Sequence, residues 1–509
     1  MVSSDDKIII VGAGVFGLST ALWLSRSGYK NITIFDRCTL DKNFYDPSNG
    51  CDGPAGSEQR SRYQDLAIEA REIWLSWNTR IKESAAADLP PGLSPEDQLL
   101  YLCGSYFLAE GSELRDFYKE SLQTMQETAP DFRKMQFVKG DVNDEHRLRN
   151  ISPKWVDKYH MLDGINGNNT NGFIDINAGI TIADKACVYA RFLCEKLGVK
   201  FVLGDPAGKI DRLMVEDTGS SKRVKGIKTV DGLTHTGDLV IVAGKPAAGP
   251  LRSSLRPTRP SKRPLGPSCS LIFLHTDKIC GTSSIPTITQ YGRTDGGGRK
   301  VGPQTRAIDM HANLSASYYQ GGGFPISKSG RLKFGYRGRK YTNFQDHPTA
   351  PNLRISTPRT KWSDNQINTV PLHPLSHMKR VIYDAFPELA EFGFTDSRLC
   401  WYTDSIDNHF VIDYVPGYSD SLFICTGGSG HGFKFLPILG RHVKNQLERV
   451  PDQFTPLWKW RSVVEGNPNN GLSEGEEGPR DMKKLKLAER GIKGLYIRKG
   501  KQKAPRPGD

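Results

Sequence analysis

Apolar positions in the first forty residues change from a continuous run to helical spacing and back to a run. Residues 7–12 form an apolar run that ends in glycine, which predicts a buried strand. Leu18–Ser27 carries its apolar residues on one face and predicts an amphipathic helix ending before Gly28. Asn31–Phe35 predicts a second buried strand, closed by Asp36. The pattern is that of a βαβ unit.

Further along the chain the pattern predicts more helices and strands, with one long weakly patterned region. The predicted helices are Gln64–Ile81, 112–128, Ala183–Leu197, Leu375–Phe386 and Leu436–Glu448. The predicted strands are 99–108, Val199–Leu203, a β-meander over 224–237, Leu239–Ala243, 330–336, Phe410–Asp413 and Leu422–Thr426. Residues 245–330 are rich in Gly, Pro and Ser, and Arg293–Arg306 resembles a disordered loop.

Composition narrows the class of protein. A chain of 509 residues exceeds one ordinary core, so two domains are expected. No apolar window reaches the length of a membrane span, and the nine cysteines lack a metal-binding spacing. The N-terminus does not resemble a signal peptide and the C-terminus lacks a peroxisomal tripeptide, so we expect a cytoplasmic protein with reduced thiols.

The positive charge does not indicate nucleic-acid binding. Of the net charge of +13, Met482–Asp509 contributes +8, because it holds ten Lys or Arg and two acids. A second basic cluster, Arg252–Arg263, lies in a Pro/Ser-rich stretch. Neither cluster alternates with aromatic residues on a regular element, and solvated segments are the simpler interpretation. We therefore expect no nucleic-acid partner and no membrane.

The turn of the βαβ unit has the G-x-G-x-x-G spacing of a dinucleotide site. The first glycine permits the tight turn, the second lets a pyrophosphate approach, and the third lets the helix pack closely on the strand. An acid at the end of the second strand accepts the ribose hydroxyls. The candidate cofactor residues here are Gly12, Ala13, Gly14, Val15, Phe16, Gly17, Asp36 and Arg37. The alternative is a chance glycine-rich turn, and this unit alone does not separate NAD from FAD.

A second glycine-rich motif follows the strand Leu422–Thr426. Gly427, Gly428 and Gly430 precede a predicted helix, whose N-terminus could neutralise negative charge at the N1–C2=O edge of a flavin. The return to the nucleotide-binding sheet late in the chain also suits FAD better than NAD. The alternative is an ordinary strand-to-helix turn.

Several segments together resemble the monomeric sarcosine oxidase family, which includes pipecolate, saccharopine and fungal fructosyl amino acid oxidases. The fungal branch is the most similar. The resemblance is carried by Val11–Leu18, Asp36, Tyr63–Trp74, Arg331–Tyr336, Cys400–Asp404 and Ser429–Phe435. It implies an α/β (α+β) fold, with a Rossmann-type FAD-binding domain and a second substrate domain built on a mixed β-sheet. It also implies a monomer.

The resemblance implies a discontinuous domain organisation. The FAD-binding domain is expected to comprise residues 1–85, 165–250 and 395–450, and the substrate domain residues 86–164 and 251–394. Residues 451–509 are expected to form a basic C-terminal extension, partly disordered.

The resemblance also assigns roles by position. Cys400 matches a cysteine bound covalently to FAD, and Lys333 a lysine that promotes electron transfer to oxygen. Lys434 matches a lysine that pairs with the substrate carboxylate, Tyr402 a wall of the substrate pocket, and His431 a residue beside the flavin. Further expected FAD contacts are Gly428, Gly430, Gly432, Phe433 and Lys434. The alternatives are a buried structural cysteine, an exposed strand lysine at 333 and a surface lysine at 434.

Two segments depart from the family pattern. The segment 51–62 looks shortened where relatives have a flavin-contacting segment, because Cys51–Gly56 runs almost at once into Ser57–Arg60. Arg60 or Arg62 could substitute for the arginine of that segment. The usual Gly-Ala-Trp after the late Rossmann strand is Gly244-Lys245-Pro246 here.

The expected function is FAD-dependent oxidation of the secondary amine of an amino acid, N-alkyl or N-glycated amino acid to an imine. The partners are a small-molecule amine and O2, which yields H2O2. Two alternatives remain: a dehydrogenase or tailoring enzyme acting on a larger amine, and a flavin-binding protein of low activity.

Overall fold

The computed structural model describes most of the chain in separate ranges. These are residues 2–39, 58–153, 156, 170–217, 219–244, 267–276, 313–316, 321–324, 332–336, 339–346, 354–359, 366–367, 369–385, 394, 396–405, 407–461 and 480–488. The departures at Cys51–Gly56 and 245–246 and the loop at 293–306 lie outside these ranges. Within them, no helix has the length and apolar character needed to cross a membrane.

The strands are numbered in chain order: β1 Lys7–Val11, β2 Asn31–Asp36, β3 Leu100–Tyr101, β4 Ser105–Glu110, β5 Gln136–Val138, β6 Thr170–Asp175, β7 Ile180–Thr181, β8 Lys200–Leu203, β9 Ile210–Asp217, β10 Lys222–Thr229, β11 Thr234–Thr236, β12 Leu239–Val242, β13 Pro267–Thr276, β14 Asn313–Ala316, β15 Gly321–Gly323, β16 Leu332–Tyr336, β17 Phe344–Asp346, β18 Arg354–Ser356, β19 Asp396–Thr403, β20 Val411–Tyr414 and β21 Leu422–Thr426. The α-helices are α1 Val15–Arg26, α2 Glu58–Glu83, α3 Asp116–Thr128, α4 Pro130–Arg133, α5 Val142–Ile151, α6 Ala183–Lys196, α7 Leu372–Ala385, α8 Leu439–Leu447 and α9 Thr455–Trp458. Short 3-10 turns occur at Ala86–Asp88, Phe433–Phe435 and Met482–Lys484.

A six-stranded sheet in the order β20-β21-β12-β1-β2-β8 forms the first layered unit. Its strands are parallel except for β20. Ile8 and Ile10 of β1 face a core that includes residues of α1, α6 and α8, whereas Ile9 and Val11 face the β9–β11 meander. Cover on both faces explains why β1 reads as a continuous apolar run.

An eight-stranded mixed sheet in the order β19-β13-β16-β15-β14-β4-β6-β5 forms the second unit. Its neighbouring strands are antiparallel except β14 and β4. Phe334 and Tyr336 of β16 and Leu399 and Trp401 of β19 pack in one core with α7. Because side chains alternate along a strand, residues 333, 400 and 402 belong to the opposite face.

Sheet membership differs from the expected domain boundaries at two strands. β19 lies within the range 395–450 expected for FAD binding, and β6 within 165–250, yet both belong to the eight-stranded sheet. The first unit resumes at β20, after residue 410.

Parts of the expected basic extension are packed into the protein. Phe454 and Trp458 are buried in the core of the first unit. Residues 480–488 bond to the second unit: the N–H of Met482 donates to Thr342 O at 2.9 Å, and that of Ala488 to Val370 O at 2.8 Å. Met482 is itself buried in the core beneath α7. These two segments therefore contribute to the fold.

Candidate active site

The nucleotide-binding turn is built from close backbone contacts. Gly12 has φ +112° and donates its N–H to Phe35 O at 2.8 Å. A Cβ on Gly12 would lie 2.8 Å from Gly244 Cα, and one on Gly17 would overlap the carbonyl oxygen of Gly12. Helix α1 thus starts directly against β1, as the roles assigned to these glycines require.

The same turn leaves room and polar groups for a phosphate and a ribose. Gly14 is the N-cap of α1, and nothing lies within 4 Å of where its Cβ would be. Asp36 accepts the N–H groups of Ala13 at 2.8 Å and Cys38 at 2.9 Å, one on each carboxylate oxygen. Each oxygen retains a lone pair for a hydroxyl. Arg37 beside it is half-buried.

The second glycine-rich motif lies against the first. Phe16, in the first turn of α1, has its ring edge 3.3 Å from where a Cβ on Gly428 would be and 3.7 Å from that of Gly432. The ring of Phe410 meets Phe16 edge-on at 5.5 Å between centroids. A larger residue at 428 would press on the helix start, so the glycines allow this close approach. The two motifs thus form one surface.

The motif at 400–405 joins the same surface from the other sheet. Ser429 has φ +44° and donates its N–H to Thr403 O at 3.1 Å. Gly430 follows with φ +79°, and its Cβ would lie 2.5 Å from Cε2 of Tyr402. The ring of Tyr402 therefore packs directly on a glycine.

Cys400 and Lys333 lie on one face of the eight-stranded sheet. In the strand register, Cys400 pairs with residue 271 and Lys333 with residue 275 of the intervening β13, and these positions are an even number apart. Phe324 links them: the Lys333 ammonium lies 4.6 Å from its ring centroid, and Cys400 packs against its apolar cluster. Cys400 is half-buried and Lys333 only 5% exposed. Burial excludes an exposed strand lysine at 333.

His431 and Lys434 extend from the glycine-rich motif in different surroundings. The ring of His431 stacks on Phe410 at 4.9 Å, and its Nε2 lies 3.0 Å from Asn408 O. The ammonium of Lys434 lies 5.5 Å from the ring centroid of Phe435, and its backbone carbonyl accepts the indole N–H of Trp74 at 2.7 Å. Phe433 stacks on Trp74. The side chains of His431 and Lys434 are both half-buried.

An aromatic cluster centred on Tyr63 supports this region and was not assigned a role from the sequence. The Tyr63 oxygen accepts the indole N–H of Trp458 at 2.9 Å and lies 3.2 Å from Nδ1 of His409. Its ring meets those of His431 and Phe410 edge-on. Burial raises the pKa of Tyr63 and lowers that of His409, so both rings are neutral near pH 7. The only sequence signal was that Tyr63 opens a family-like segment.

Two cations hold the loop that follows β19. Lys340 pairs with the buried carboxylate of Asp404 at 3.1 Å. Nη2 of Arg461 donates to Asp407 at 3.0 Å, and its Nε lies 2.9 Å from the other carboxylate oxygen. The same loop carries Asn408, which contacts His431. Arg62, a proposed substitute for the shortened segment, donates to Gln453 O at 2.7 Å; the side chain of Arg60 lies outside the described residues.

Comparison with known proteins identifies the family. The sequence profile described as FAD dependent oxidoreductase (DAO) matches residues 7–446.

The chain is an FAD-dependent oxidoreductase of this family.

Relatives of this FAD-dependent oxidoreductase include the amine oxidases expected from the sequence. L-saccharopine oxidase of Schizosaccharomyces pombe is 23% identical over 468 residues, covering 89% of this chain and 93% of the relative. Monomeric sarcosine oxidase of Streptomyces avermitilis is 42% identical over 67 residues, which cover 13% of this chain and 16% of the relative. The crystal structure of fructosamine oxidase (Amadoriase II) from Aspergillus fumigatus has a TM-score of 0.65 at 21% identity, with coverage of 97% and 100%.

These comparisons confirm the predicted family resemblance, fold class and FAD-dependent oxidoreductase activity. The fold likeness to the fructosamine oxidase supports the fold alone. The open helix N-cap at Gly14 and the carboxylate of Asp36 fit the pyrophosphate and ribose of FAD. The roles of individual residues are taken up below as proposals.

Proposed function

We propose that this oxidoreductase oxidises the secondary amine of an amino acid, N-alkyl or N-glycated amino acid, with FAD held covalently by Cys400. The main support is that Lys333, Cys400 and Tyr402 lie on the same face of the eight-stranded sheet. On that face, Tyr402 packs on the glycine-rich motif 427–432. That motif in turn contacts the nucleotide-binding turn through Phe16. A nucleotide bound at α1 could therefore extend its reactive end towards this face.

Different residues of the chain bind different parts of FAD. Ala13, Gly14 and Val15, in the open helix start, face the pyrophosphate, and Asp36 and Arg37 lie at the ribose end. Gly428, Gly430, Gly432 and Phe433 line the flavin end, where the half-buried thiol of Cys400 would form a thioether. When bound, FAD supplies the acceptor for two electrons and a proton from the amine.

The two lysines act on different partners. Lys434 binds the substrate carboxylate as a point charge, which orients the amine for oxidation. Lys333 stays close to the flavin because Phe324 holds its ammonium by a cation–π contact, and its charge stabilises the anion formed as oxygen takes up the first electron. Tyr402 forms a wall of the substrate pocket and His431 supports the flavin side. No dedicated base is required when the amine binds neutral.

The imine product hydrolyses in water, and oxygen leaves as hydrogen peroxide. The names of the relatives support an amine on an amino acid as the substrate class: saccharopine, sarcosine and N-methyl-L-tryptophan oxidases all match parts of the chain. We propose further that the enzyme acts as a cytoplasmic monomer, which size-exclusion chromatography would test.

Acid precipitation tests the covalent link. Yellow colour that stays in the precipitate of the wild type, and moves to the supernatant in Cys400→Ser, would support a thioether at this residue. Cys103→Ser is the matched control, because Cys103 packs in the same apolar cluster and should keep the colour in the precipitate. Colour in the wild-type supernatant contradicts the covalent proposal.

A substrate panel tests the reaction. Sarcosine, N-methyl-L-tryptophan, L-saccharopine and a fructosyl amino acid are mixed with the holoenzyme, first without oxygen and then with it. We expect one of them to bleach the flavin and to yield peroxide when air is admitted. Bleaching without peroxide would favour a dehydrogenase, and no bleaching by any amine would favour a flavin-binding protein of low activity.

A further inference from the structure

In the turn that carries Lys434, one backbone carbonyl cannot follow the bonding pattern of its neighbours. The carbonyls at 432, 433 and 435 accept the N–H of the residue three positions ahead, at 3.0–3.1 Å. For the carbonyl of Lys434 that residue is Pro437, which has no N–H. A donor from another part of the chain can take the place of that N–H.

Trp74 of α2 supplies that donor. Its indole N–H reaches the carbonyl oxygen of Lys434 at 2.7 Å, 360 residues away in sequence. The indole is 2% exposed, and its ring stacks on Phe433 with 6.4 Å between centroids. Trp77, one turn further along α2, meets Trp74 edge-on at 5.3 Å and restricts its ring. A bond of this length from a packed ring fixes the backbone at residue 434.

We propose that Trp74 is the positioning residue for the Lys434 ammonium, and so for binding of the substrate carboxylate. This inference rests on the proposed role of Lys434 in carboxylate binding. The indole fixes the backbone from which the lysine side chain starts, while Phe435 lies under its charged end. Loss of the bond lets the carbonyl turn towards another donor, and the ammonium moves with it.

A second tryptophan offers a matched control. The indole N–H of Trp23 in α1 donates to Pro437 O at 2.8 Å, so it bonds to the same turn with the same chemistry. Its acceptor lies three residues beyond Lys434. A general loosening of the turn would follow from losing either tryptophan, whereas misplacement of the ammonium would follow mainly from losing Trp74.

Trp74→Phe and Trp23→Phe are compared as holoenzymes by titration with acetate, a small carboxylate probe, and binding is followed through the flavin absorbance. We expect Trp74→Phe to raise the Kd of acetate by about ten-fold or more, as loss of a charge-assisted contact does. The KM of the active panel amine should rise to a similar extent while kcat changes less than about two-fold. Trp23→Phe should leave both constants unchanged, and both variants should retain their flavin.

Lys434→Met separates the two hypotheses. If the wild type binds acetate and Lys434→Met does not, the role of Lys434 in carboxylate binding is supported. An unchanged acetate affinity in Trp74→Phe would then overturn only the positioning role of Trp74. Equal losses in Trp74→Phe and Trp23→Phe would also overturn it, because they indicate a loosened turn. If acetate leaves the wild-type flavin spectrum unchanged, or binds Lys434→Met equally well, the carboxylate site itself is wrong.

Discussion

The contact between Gly430 and Tyr402 shows how a single missing side chain shapes the site. Gly430 has φ +79°, a conformation that residues with a Cβ rarely adopt. Its Cβ would also lie 2.5 Å from the Tyr402 ring. Two independent constraints, backbone and packing, therefore require glycine here. Only the packing constraint involves Tyr402, the proposed wall of the substrate pocket.

Gly430→Ala tests these constraints against Gly417→Ala. Gly417 has φ +83°, but nothing lies within 4 Å of its Cβ position. Both variants should lose about 1 kcal/mol of unfolding free energy through backbone strain. Gly430→Ala should lose about 1–2 kcal/mol more and raise the KM of the active amine, because the ring of Tyr402 must move. Thermal unfolding and initial rates measure both effects, and equal behaviour of the two variants would contradict this account.

The residue types of the site could be predicted from the sequence, but their surroundings could not. A lysine in Arg-Leu-Lys-Phe-Gly suggested a role near the flavin, yet an exposed strand lysine had the same pattern. Burial of Lys333 involves Phe324, which directly follows a different strand, β15. Trp74 sat in a recognisable segment, but its bond to Lys434 joins residues 360 positions apart, and no local pattern records such a bond.

At the scale of elements, local patterns predicted the strands and helices that are apolar enough to be buried on their own. The βαβ unit and α6 start and end within about three residues of their predicted bounds. Strands β13 to β15 were missed, and β15 consists of three glycines. Glycine has a low preference for strands, so β15 exists because β14 and β16 bond to it from both sides.

The short helix α9 is attached to α8 through one carboxylate. Asp452 accepts the N–H groups of Phe454 at 2.9 Å and Thr455 at 3.1 Å, at the start of α9. On its other oxygen it bonds Nδ1 of His442, from α8, at 2.7 Å. Burial raises the pKa of this carboxyl, but its bond to His442 and the neighbouring charge outweigh burial and lower the pKa to about 2.

This lowered pKa predicts how stability depends on pH. The carboxyl has an ordinary pKa of 3.8 and a folded value of about 2, so the unfolded chain takes up its proton first as the pH falls. The stabilisation is therefore complete above about pH 4–5 and is lost between about pH 4 and 2. We expect Asp452→Asn to lower the unfolding free energy by about 1–2 kcal/mol at pH 7 after allowance for solvent screening. Urea unfolding across this pH range measures the difference.

The exposed carboxylate of Asp131 provides the control. Its pKa is lowered by a hydrogen bond from Lys134, but it lies in full contact with solvent. Asp131→Asn should match the wild type at every pH. A difference between Asp452→Asn and wild type that persists undiminished at pH 2 would show that the carboxylate charge is not the cause.

At the scale of the whole molecule, the loop after β19 connects the two sheets, and charges fix it from both sides. Asp404 bonds to Lys340 of the second unit, while Asp407 bonds to Arg461, just after α9. Arg461 also donates to the carbonyls of Leu457 at 2.5 Å and Phe410 at 3.1 Å. Arg461, in the range expected to form a basic and partly disordered extension, therefore holds the loop that lies beside His431.

A double-mutant cycle with Arg461→Met and Asp407→Asn measures the coupling free energy of this ion pair. Nη2 of Arg461 donates to one oxygen of Asp407, Nε lies at ion-pair distance from the other, and the pair is mostly shielded, with side chains 16% and 32% exposed. Charge-assisted bonds in such surroundings predict a coupling of about 1.5–3 kcal/mol in urea unfolding. We also expect the flavin fluorescence of Arg461→Met to rise at a lower urea concentration than the one at which its helical circular dichroism is lost, because the loop beside the proposed flavin site loosens first.

The pair of Arg441 and Glu69 is the matched control for that cycle. It also joins two guanidinium nitrogens to two carboxylate oxygens, here between α8 and α2, but its side chains are 35% and 46% exposed. Solvent screening limits its coupling to about 1 kcal/mol or less. Equal coupling in the two cycles would mean that the contact of Arg461 is an ordinary surface pair. The loop would then owe its position to Lys340 and to the backbone bond between Ser429 and Thr403.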